Sequence, residues 1–311
     1  MINDFISIAI PAYKASFLKE AINSVLNQTY KNFELIIVND NSPENIDLII
    51  NSFNDKRIQY YKNKKNLGKE SIVLNWNKCL EYANGAFFVL LCDDDIMHPT
   101  FIETMLKISY KYPKCNVFRA RTQYIDNNTK KIIYHTKEWP ENECFIDFLK
   151  AQLSNDRKHT ISEFMYRTAH IKKQGGYVVF PVGYYSDIAS ILYLIQNNNI
   201  VSIGGAPLLT FRKSLINISS NTSYNKEKVK AAITYYQWLQ SFLMSNENVT
   251  INFKEKCEYD IYHYFITTTN IYNAISILNC IPIKIWDKKT KLIHFINWIK
   301  VHIFPKRILK Q

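Results

Sequence analysis

Glycine and proline are scarce in this chain, with 7 and 9 among 311 residues. That excludes a collagen-like or linker-rich architecture, and it makes each glycine near a motif informative. Six cysteines, Cys79, Cys92, Cys115, Cys144, Cys257 and Cys280, include no C-x-x-C pair, so a zinc site has little support. Their scattered, apolar settings read as reduced, buried thiols of a cytoplasmic protein. The opening Met1-Ile2-Asn3-Asp4 begins no basic segment followed by an apolar stretch, so no signal peptide is expected. The absence of any run of about 18 apolar residues predicts no membrane-spanning helix. Acidic residues are also in deficit, 27 against 39 Lys and Arg, a formal charge of +12.

The excess charge is uneven. Residues 284–311 carry eight Lys or Arg against the single acid Asp287, or +7 of the +12. Apolar residues make up 47% of the chain, enough for the core of one large α/β domain with a helical appendage. Short apolar runs at Ile6–Ile10, Glu34–Val38, Ile58–Tyr61 and Ala86–Leu91 alternate with helical periodicity at Leu18–Leu26, Ile46–Phe53, Ile72–Ala83 and from His98-Pro99 to Ile108. Ser42 before Pro43 reads as the cap of the second helix. This order predicts a mostly parallel central sheet covered on both faces. Ligands then bind beyond the carboxyl ends of the strands, at Pro11 to Tyr13, Asn39 to Ser42 and Asp93 to Asp95. Val117–Ile125 and Lys130–His135 flank Asp126–Thr129 as a hairpin. A helix is expected over Ile188–Gln196, and the pattern is helical and aromatic from Lys226.

Leu90-Leu91-Cys92-Asp93-Asp94-Asp95 sets three consecutive carboxylates at the end of a buried strand. They repel one another, and a divalent cation removes that cost. Mg²⁺ or Mn²⁺ prefers a few carboxylate oxygens together with phosphate and water oxygens, so such a turn can hold a metal–diphosphate complex. A solvated acidic turn ahead of a helix is the plainer alternative.

In this order and spacing the motifs resemble family 2 glycosyltransferases of the GT-A fold. The opening strand and turn Ile6–Tyr13, the helix Leu18–Gln28, the strand Phe33–Ser42, Asn66-Leu67-Gly68, Ala83-Asn84-Gly85 and Asp93-Asp94-Asp95 with Pro99 carry the likeness. It is strongest over residues 5–110 and extends to about 212. The resemblance implies a GT-A domain over residues 1–215, with a nucleotide-binding half to about 115 and an acceptor-side half after it, followed by a helical, basic-aromatic region over 216–311. It implies that Asp40 bonds the nucleotide base, usually uracil, in a pocket lined by Pro11, Ala12 and Tyr13. Asn66, Gly68 and Lys69 join that nucleotide-sugar site. Asp93 approaches the ribose or donor sugar, and Asp94, supported by Asp95, binds Mn²⁺ or Mg²⁺. In the segment Gly175-Gly176-Tyr177 to Tyr184-Tyr185-Ser186-Asp187, Asp187 matches the catalytic base, and it also reads as the cap of the helix from Ile188.

The implied activity is inverting transfer from a nucleotide sugar, chiefly a UDP-sugar, to a hydroxyl of a glycan or lipid-linked glycan. The product class is a capsular, envelope or lipopolysaccharide chain. Departures from the family pattern are equally specific. Cys92 stands where many relatives carry an Asp, and Asn75-Trp76-Asn77 replaces Ala-Arg-Asn, which leaves Lys69 or Arg212 to contact the donor phosphates. Glu163 is read as facing the acceptor, His98 as a helix-capping residue, and His159, His170 and His263 as structural or exposed. Residues 284–311 form either a basic amphipathic surface for anionic membrane, suited to a peripheral enzyme, or a helix packed on its own domain. Two other readings use the same features: a nucleotidyltransferase, disfavoured because Pro11-Ala12-Tyr13-Lys14 lacks a Gly-rich phosphate loop, and a catalytically silent sugar-nucleotide-binding module. Nucleic-acid binding is not expected, because the charge gathers in the tail and no recognition motif accompanies it.

Overall fold

The computed structural model describes residues 3–154, 157–214, 216–218 and 221–246. Cys257, Cys280, His263 and the basic stretch 284–311 lie outside these residues. In chain order the strands and helices are β1 (Ile6–Ala12), α1 (Leu18–Leu26), β2 (Phe33–Asn39), α2 (Ile46–Asn51), β3 (Ile58–Lys62), α3 (Ile72–Tyr82), β4 (Phe87–Leu90), β5 (Ile96–Met97), α4 (Phe101–Lys111), β6 (Val117–Arg119), β7 (Thr122–Asp126) and β8 (Ile132–His135). They continue as β9 (Asn142–Cys144), α5 (Phe145–Leu153), β10 (Phe164–Arg167), α6 (Thr168–Lys173), α7 (Ser186–Ile195), β11 (Asn199–Ser202), β12 (Leu209–Lys213) and α8 (Asn225–Ser245).

Eight strands form one sheet in the order β3-β2-β1-β4-β10-β6-β11-β9. The pairs β2–β3, β1–β2, β1–β4 and β6–β11 are parallel. The pairs β4–β10, β10–β6 and β11–β9 are antiparallel. The sheet is therefore parallel in its first half and mixed in its second. A second sheet, β5-β12-β7-β8, covers one end. It splits the expected strand Val117–Ile125 in two: β6 stays in the large sheet, while β7 turns away at Ala120–Arg121 and forms the hairpin with β8.

Alternation along β1 explains the two-sided core. Ile6, Ile8, Ile10 and Ala12 pack with Leu18, Ile22 and Val25 of α1 and Phe101, Met105 and Leu106 of α4. Ala9 faces the other layer with Ile36, Val38 and residues of α3, α7 and α8. Helix α8 buries Ala231, Ala232, Tyr235, Tyr236, Leu239, Phe242 and Leu243 in that layer.

Three local expectations are corrected. Helix α2 starts at Ile46 and is capped by Asn45, whose side chain accepts from the Leu48 amide. Ser42 instead donates to the Tyr13 carbonyl at 2.5 Å and accepts from the Glu44 amide. Asp187 lies inside the first turn of α7, and Tyr185, at φ 66°, occupies the cap position. Cys144 is exposed rather than buried, with its thiol 3.3 Å from Asp147.

Gly85 shows why the β1–β4 edge tolerates no side chain. A Cβ there would stand 2.5 Å from the Ser7 nitrogen and 2.7 Å from both the Ile6 carbonyl carbon and the Phe5 oxygen, all backbone atoms. Gly85→Ala must push the start of β4 away from β1. We expect a loss of about 1–3 kcal/mol, in line with overpacking elsewhere. An unchanged urea midpoint would show that the strand pair yields freely.

Candidate active site

Parallel pairing brings the chemistry together. Ala12 is in register with Asn39, and Ala9 with Leu90, so β1, β2 and β4 end on the same edge of the sheet. The residues after each strand border one cavity of about 1510 Å³. Pro11, Tyr13, Asp40, Asn66, Gly68, Lys69, Asp93, Asp94 and Asp187 all line it. Two expected residues do not. Ala12 points into the core because it lies on the opposite face of β1 from Pro11, and it reaches the site only through its carbonyl, which accepts from the Asp40 amide at 2.9 Å. Asp95 is fully buried behind the rim.

Asp40 is 3% exposed and organises the loop opposite it. One oxygen accepts from Asn63 Nδ2 at 2.8 Å and from the Leu67 amide at 2.9 Å, and the other accepts from the Gly68 amide at 2.7 Å. A carboxylate has about four acceptor positions. Three are taken, leaving one that can face the cavity. Gly68 packs closely here: a Cβ would stand 3.1 Å from Asp40 Oδ2 and 3.2 Å from Asn66 Oδ1, so a side chain would press on the carboxylate. Behind Asp40, Asn75 accepts from Asn63 and donates to the Val38 carbonyl.

The acidic turn is held by neighbours on several elements. Ser162 donates to Asp95 at 2.7 Å, and its hydroxyl accepts from the Cys92 amide at 3.0 Å. The other Asp95 oxygen accepts from the Arg212 amide at 3.4 Å. Arg212 itself is 2% exposed, bonded to Glu20 and to the Asp94 carbonyl. It therefore braces the turn from behind rather than lining the cavity. Asp93 Oδ2 accepts from the Tyr13 and Lys14 amides at 2.9 and 2.8 Å. The Lys14 ammonium hydrogen-bonds Asp94 and lies 3.3 Å from Asp93. Burial pushes the Asp93 and Asp95 carboxyls up, and the Asp94 charge pushes both the same way. Burial alone would lower the Lys14 pKa, but the charges of Asp93 and Asp94 raise it.

Asp94, Asp95 and Cys92 bring potential ligand atoms within 4.8 Å of one another. Their chemistry fits a hard divalent cation held chiefly by Asp94. Asp95 already accepts two hydrogen bonds, and burial with three adjacent carboxylates raises the Cys92 pKa, keeping the thiol protonated.

Across the cavity, Asp187 is held on the first turn of α7. Oδ1 accepts from the Ile188 amide at 2.9 Å, and Oδ2 lies 3.6 Å from His159 Nε2. The preceding turn carries positive φ at Val182, Gly183 and Tyr185. It is clamped by the Tyr185 ring stacked on Tyr235 of α8 at 4.9 Å and by Ser71, which caps α3 and donates to the Phe180 carbonyl. Asn77 pins the Gly176-Tyr177 turn, accepting from the Tyr177 amide and donating to its carbonyl. Ser71 and Asn77 thus tie α3 to the segment that precedes α7.

Glu163 is corrected: it is fully buried, paired with Arg119 at 2.5 Å and bonded to Thr122. His98 does bond its own helix start, through Thr100. Lys14 and His159 are the two site residues that sequence reasoning missed.

Residues 7–174, more than half of the chain, match the family model of Glycosyl transferase family 2. The chain belongs to that family. The uncharacterized glycosyltransferase RT0329 of Rickettsia typhi is 38% identical over 107 residues, covering 34% of this chain and 32% of that protein. The first several relatives are matched over less than half of their own lengths. The Escherichia coli UDP-Glc:alpha-D-GlcNAc-diphosphoundecaprenol beta-1,3-glucosyltransferase WfgD is 27% identical over 226 residues, 70% of this chain and 80% of that one. Among solved structures, S. aureus TarS 1-349 in complex with UDP-GlcNAc superposes with a TM-score of 0.68 at 15% identity, over 95% of this chain and 80% of that 1-349 chain. That likeness establishes the GT-A fold for this family 2 member.

Proposed function

We propose that this family 2 protein transfers a sugar from a UDP-sugar to a hydroxyl of a glycan or lipid-linked glycan acceptor, with inversion, in the building of a cell-surface polysaccharide. The observation that carries the reading is the opening of Asp40, Asp94 and Asp187 onto one cavity. WfgD, named for a UDP-sugar donor and a diphosphoundecaprenol-linked acceptor, supports the substrate classes. No helix among the described residues is long and apolar enough to cross a membrane.

Asp40 offers its remaining lone pair to the imide N–H of uracil, between Pro11 and Tyr13. Asp93, held by two backbone amides, faces the ribose. Asp94, with Asp95 behind it, would hold Mn²⁺ or Mg²⁺. When bound, that ion stabilises the negative charge developing on the leaving diphosphate. Lys14 supplies the cationic side chain that the third helix lacks. Its ammonium already sits on Asp94 and Asp93, at the place where diphosphate oxygens would accept from it. Asp187 takes the proton of the acceptor hydroxyl as that oxygen bonds the anomeric carbon and the bond to diphosphate breaks.

A panel of nucleotide sugars, read by thermal shift and by metal-dependent release of the nucleoside diphosphate, tests donor, metal and enzyme status together. UDP-sugars should stabilise the protein more than GDP- or CMP-sugars and be consumed only with added Mn²⁺ or Mg²⁺. Stabilisation without turnover on any acceptor would favour a silent binding module. Pyrophosphate release from a nucleoside triphosphate and a sugar phosphate would favour a nucleotidyltransferase.

A further inference from the structure

His159 and Asp187 are far apart in sequence, yet 3.6 Å separates His159 Nε2 from Asp187 Oδ2. The histidine side chain is 3% exposed. Its ring meets the edges of Trp139 and Phe164 at 6.1 and 5.6 Å between centroids. Nδ1 lies 3.3 Å from the amide nitrogen of Gln152, itself 4% exposed. The amide N–H donates, so Nδ1 accepts and the ring proton resides on Nε2. The flipped amide would leave a bare Nε2 lone pair against the Asp187 carboxylate, which electrostatics disfavours.

That Nε2–H has no hydrogen-bond partner among the described residues. A buried donor without a partner is uncommon and needs a reason. The charges facing His159 are Asp187 and Glu163, set against Arg119 and Arg157, and burial lowers its pKa, so the ring stays neutral at neutral pH. The arginines are occupied elsewhere: Arg119 pairs with Glu163, Arg157 with Glu143, and both guanidiniums lie over the Trp139 ring. The aromatic and ionic surround fixes the imidazole and leaves it one direction in which to donate.

Resting on the assignment of Asp187 as base, we infer that His159 is a positioning residue, its Nε2–H closing onto Asp187 Oδ2 when acceptor binds and aiming the carboxylate at the acceptor hydroxyl. Hydrogen bonds of this kind are often long before substrate arrives and shorten in the complex. With Oδ1 on the Ile188 amide and Oδ2 on His159, each oxygen keeps a lone pair for the incoming proton. His159 keeps its own proton throughout; the acceptor proton moves to Asp187.

The test uses His159→Phe, which suits the aromatic cage, and His159→Gln, whose amide can donate from near the Nε2 position. Each is made in the full chain and again with Asp187→Asn. His159→Phe should lower kcat roughly 10- to 100-fold, the scale of a misaimed catalytic group, with donor KM and UDP affinity unchanged; the thermal midpoint should fall by the loss of the Gln152 partner, equally in both backgrounds. His159→Gln should recover most of the lost kcat. In the Asp187→Asn background neither substitution should lower turnover further, because the group being aimed is already disabled. Parental kcat in His159→Phe, or an equal further loss in the Asp187→Asn background, overturns the positioning role while leaving the base assignment intact. Parental turnover in Asp187→Asn alone overturns the base assignment and this inference with it. Should the phenylalanine variant fail to fold, His159→Leu is read the same way.

Discussion

Asp187→Asn is expected to lower kcat by about 10²- to 10⁴-fold, the usual contribution of a general base. Uridine diphosphate should still bind with its parental affinity, because Asp187 lies on α7 rather than at the ends of β1, β2 and β4 proposed to hold the nucleotide. The substitution preserves shape and an acceptor for the Ile188 amide at 2.9 Å. The side chain is 26% exposed, and among the described residues its one hydrogen bond is that amide, with His159 3.6 Å away, so stability should stay within about 0.5 kcal/mol. Loss of turnover with an unmoved thermal midpoint thus separates chemistry from folding. Rates equal to the parent's would remove Asp187 from the proton transfer.

The second large effect is expected at Asp94. Replacing it with Asn removes the carboxylate best placed to hold a divalent ion, and turnover should fall by about 10²- to 10³-fold, as when a group opposing transition-state charge is lost. Manganese binding in the presence of UDP, followed by electron paramagnetic resonance, should weaken in parallel. Stability should change little. Burial, and after it the Asp94 charge, holds the Asp93 and Asp95 carboxyls above their ordinary range, so removing the charge relieves repulsion but also weakens the Lys14 ion pair, and the thermal midpoint should stay close to the parent's at neutral pH. Lys14→Met is the mirror experiment. It strips the ammonium from the same carboxylates, so the midpoint should fall. UDP affinity should drop about tenfold or more, on the scale of a charge-assisted hydrogen bond, while uridine affinity holds. Equal losses for uridine and UDP would move Lys14 away from the diphosphate.

The first half of the fold was legible in the sequence because parallel βαβ units advertise themselves. Each buried strand is a short continuous apolar run, and each helix repeats its apolar residues at helical spacing. Strand ends then name the site, which is why Asp40, Asp93 and Asp94 could be selected before any contact was known. The second half was less legible. Its strands are three to five residues long, they pair in mixed directions, and the single stretch Val117–Ile125 serves two sheets. Periodicity has nothing to measure over so few residues.

The misses share a cause. Glu163 and Arg212 are ionisable residues near motifs, and charge alone suggests a functional surface. Burial among compensating partners turned them into internal bracing: Arg119 for Glu163, Glu20 for Arg212. Lys14 was passed over because a lysine after a strand is ordinarily solvated, and only the return of β4 beside β1 sets it on two carboxylates.

Local order along the chain was enough to determine the α/β layering, the strand-end turns and the chemical class of their side chains, because those depend on neighbours a few residues away. Which carboxylate opens onto the cavity, which is locked away, and which histidine stands beside Asp187 depended on the packing of segments distant in sequence, such as Ser162 on Asp95, 67 residues away, and Arg212 on Asp94, 118 residues away. Burial and pairing set the charge state of an ionisable group, and both are properties of the closed fold.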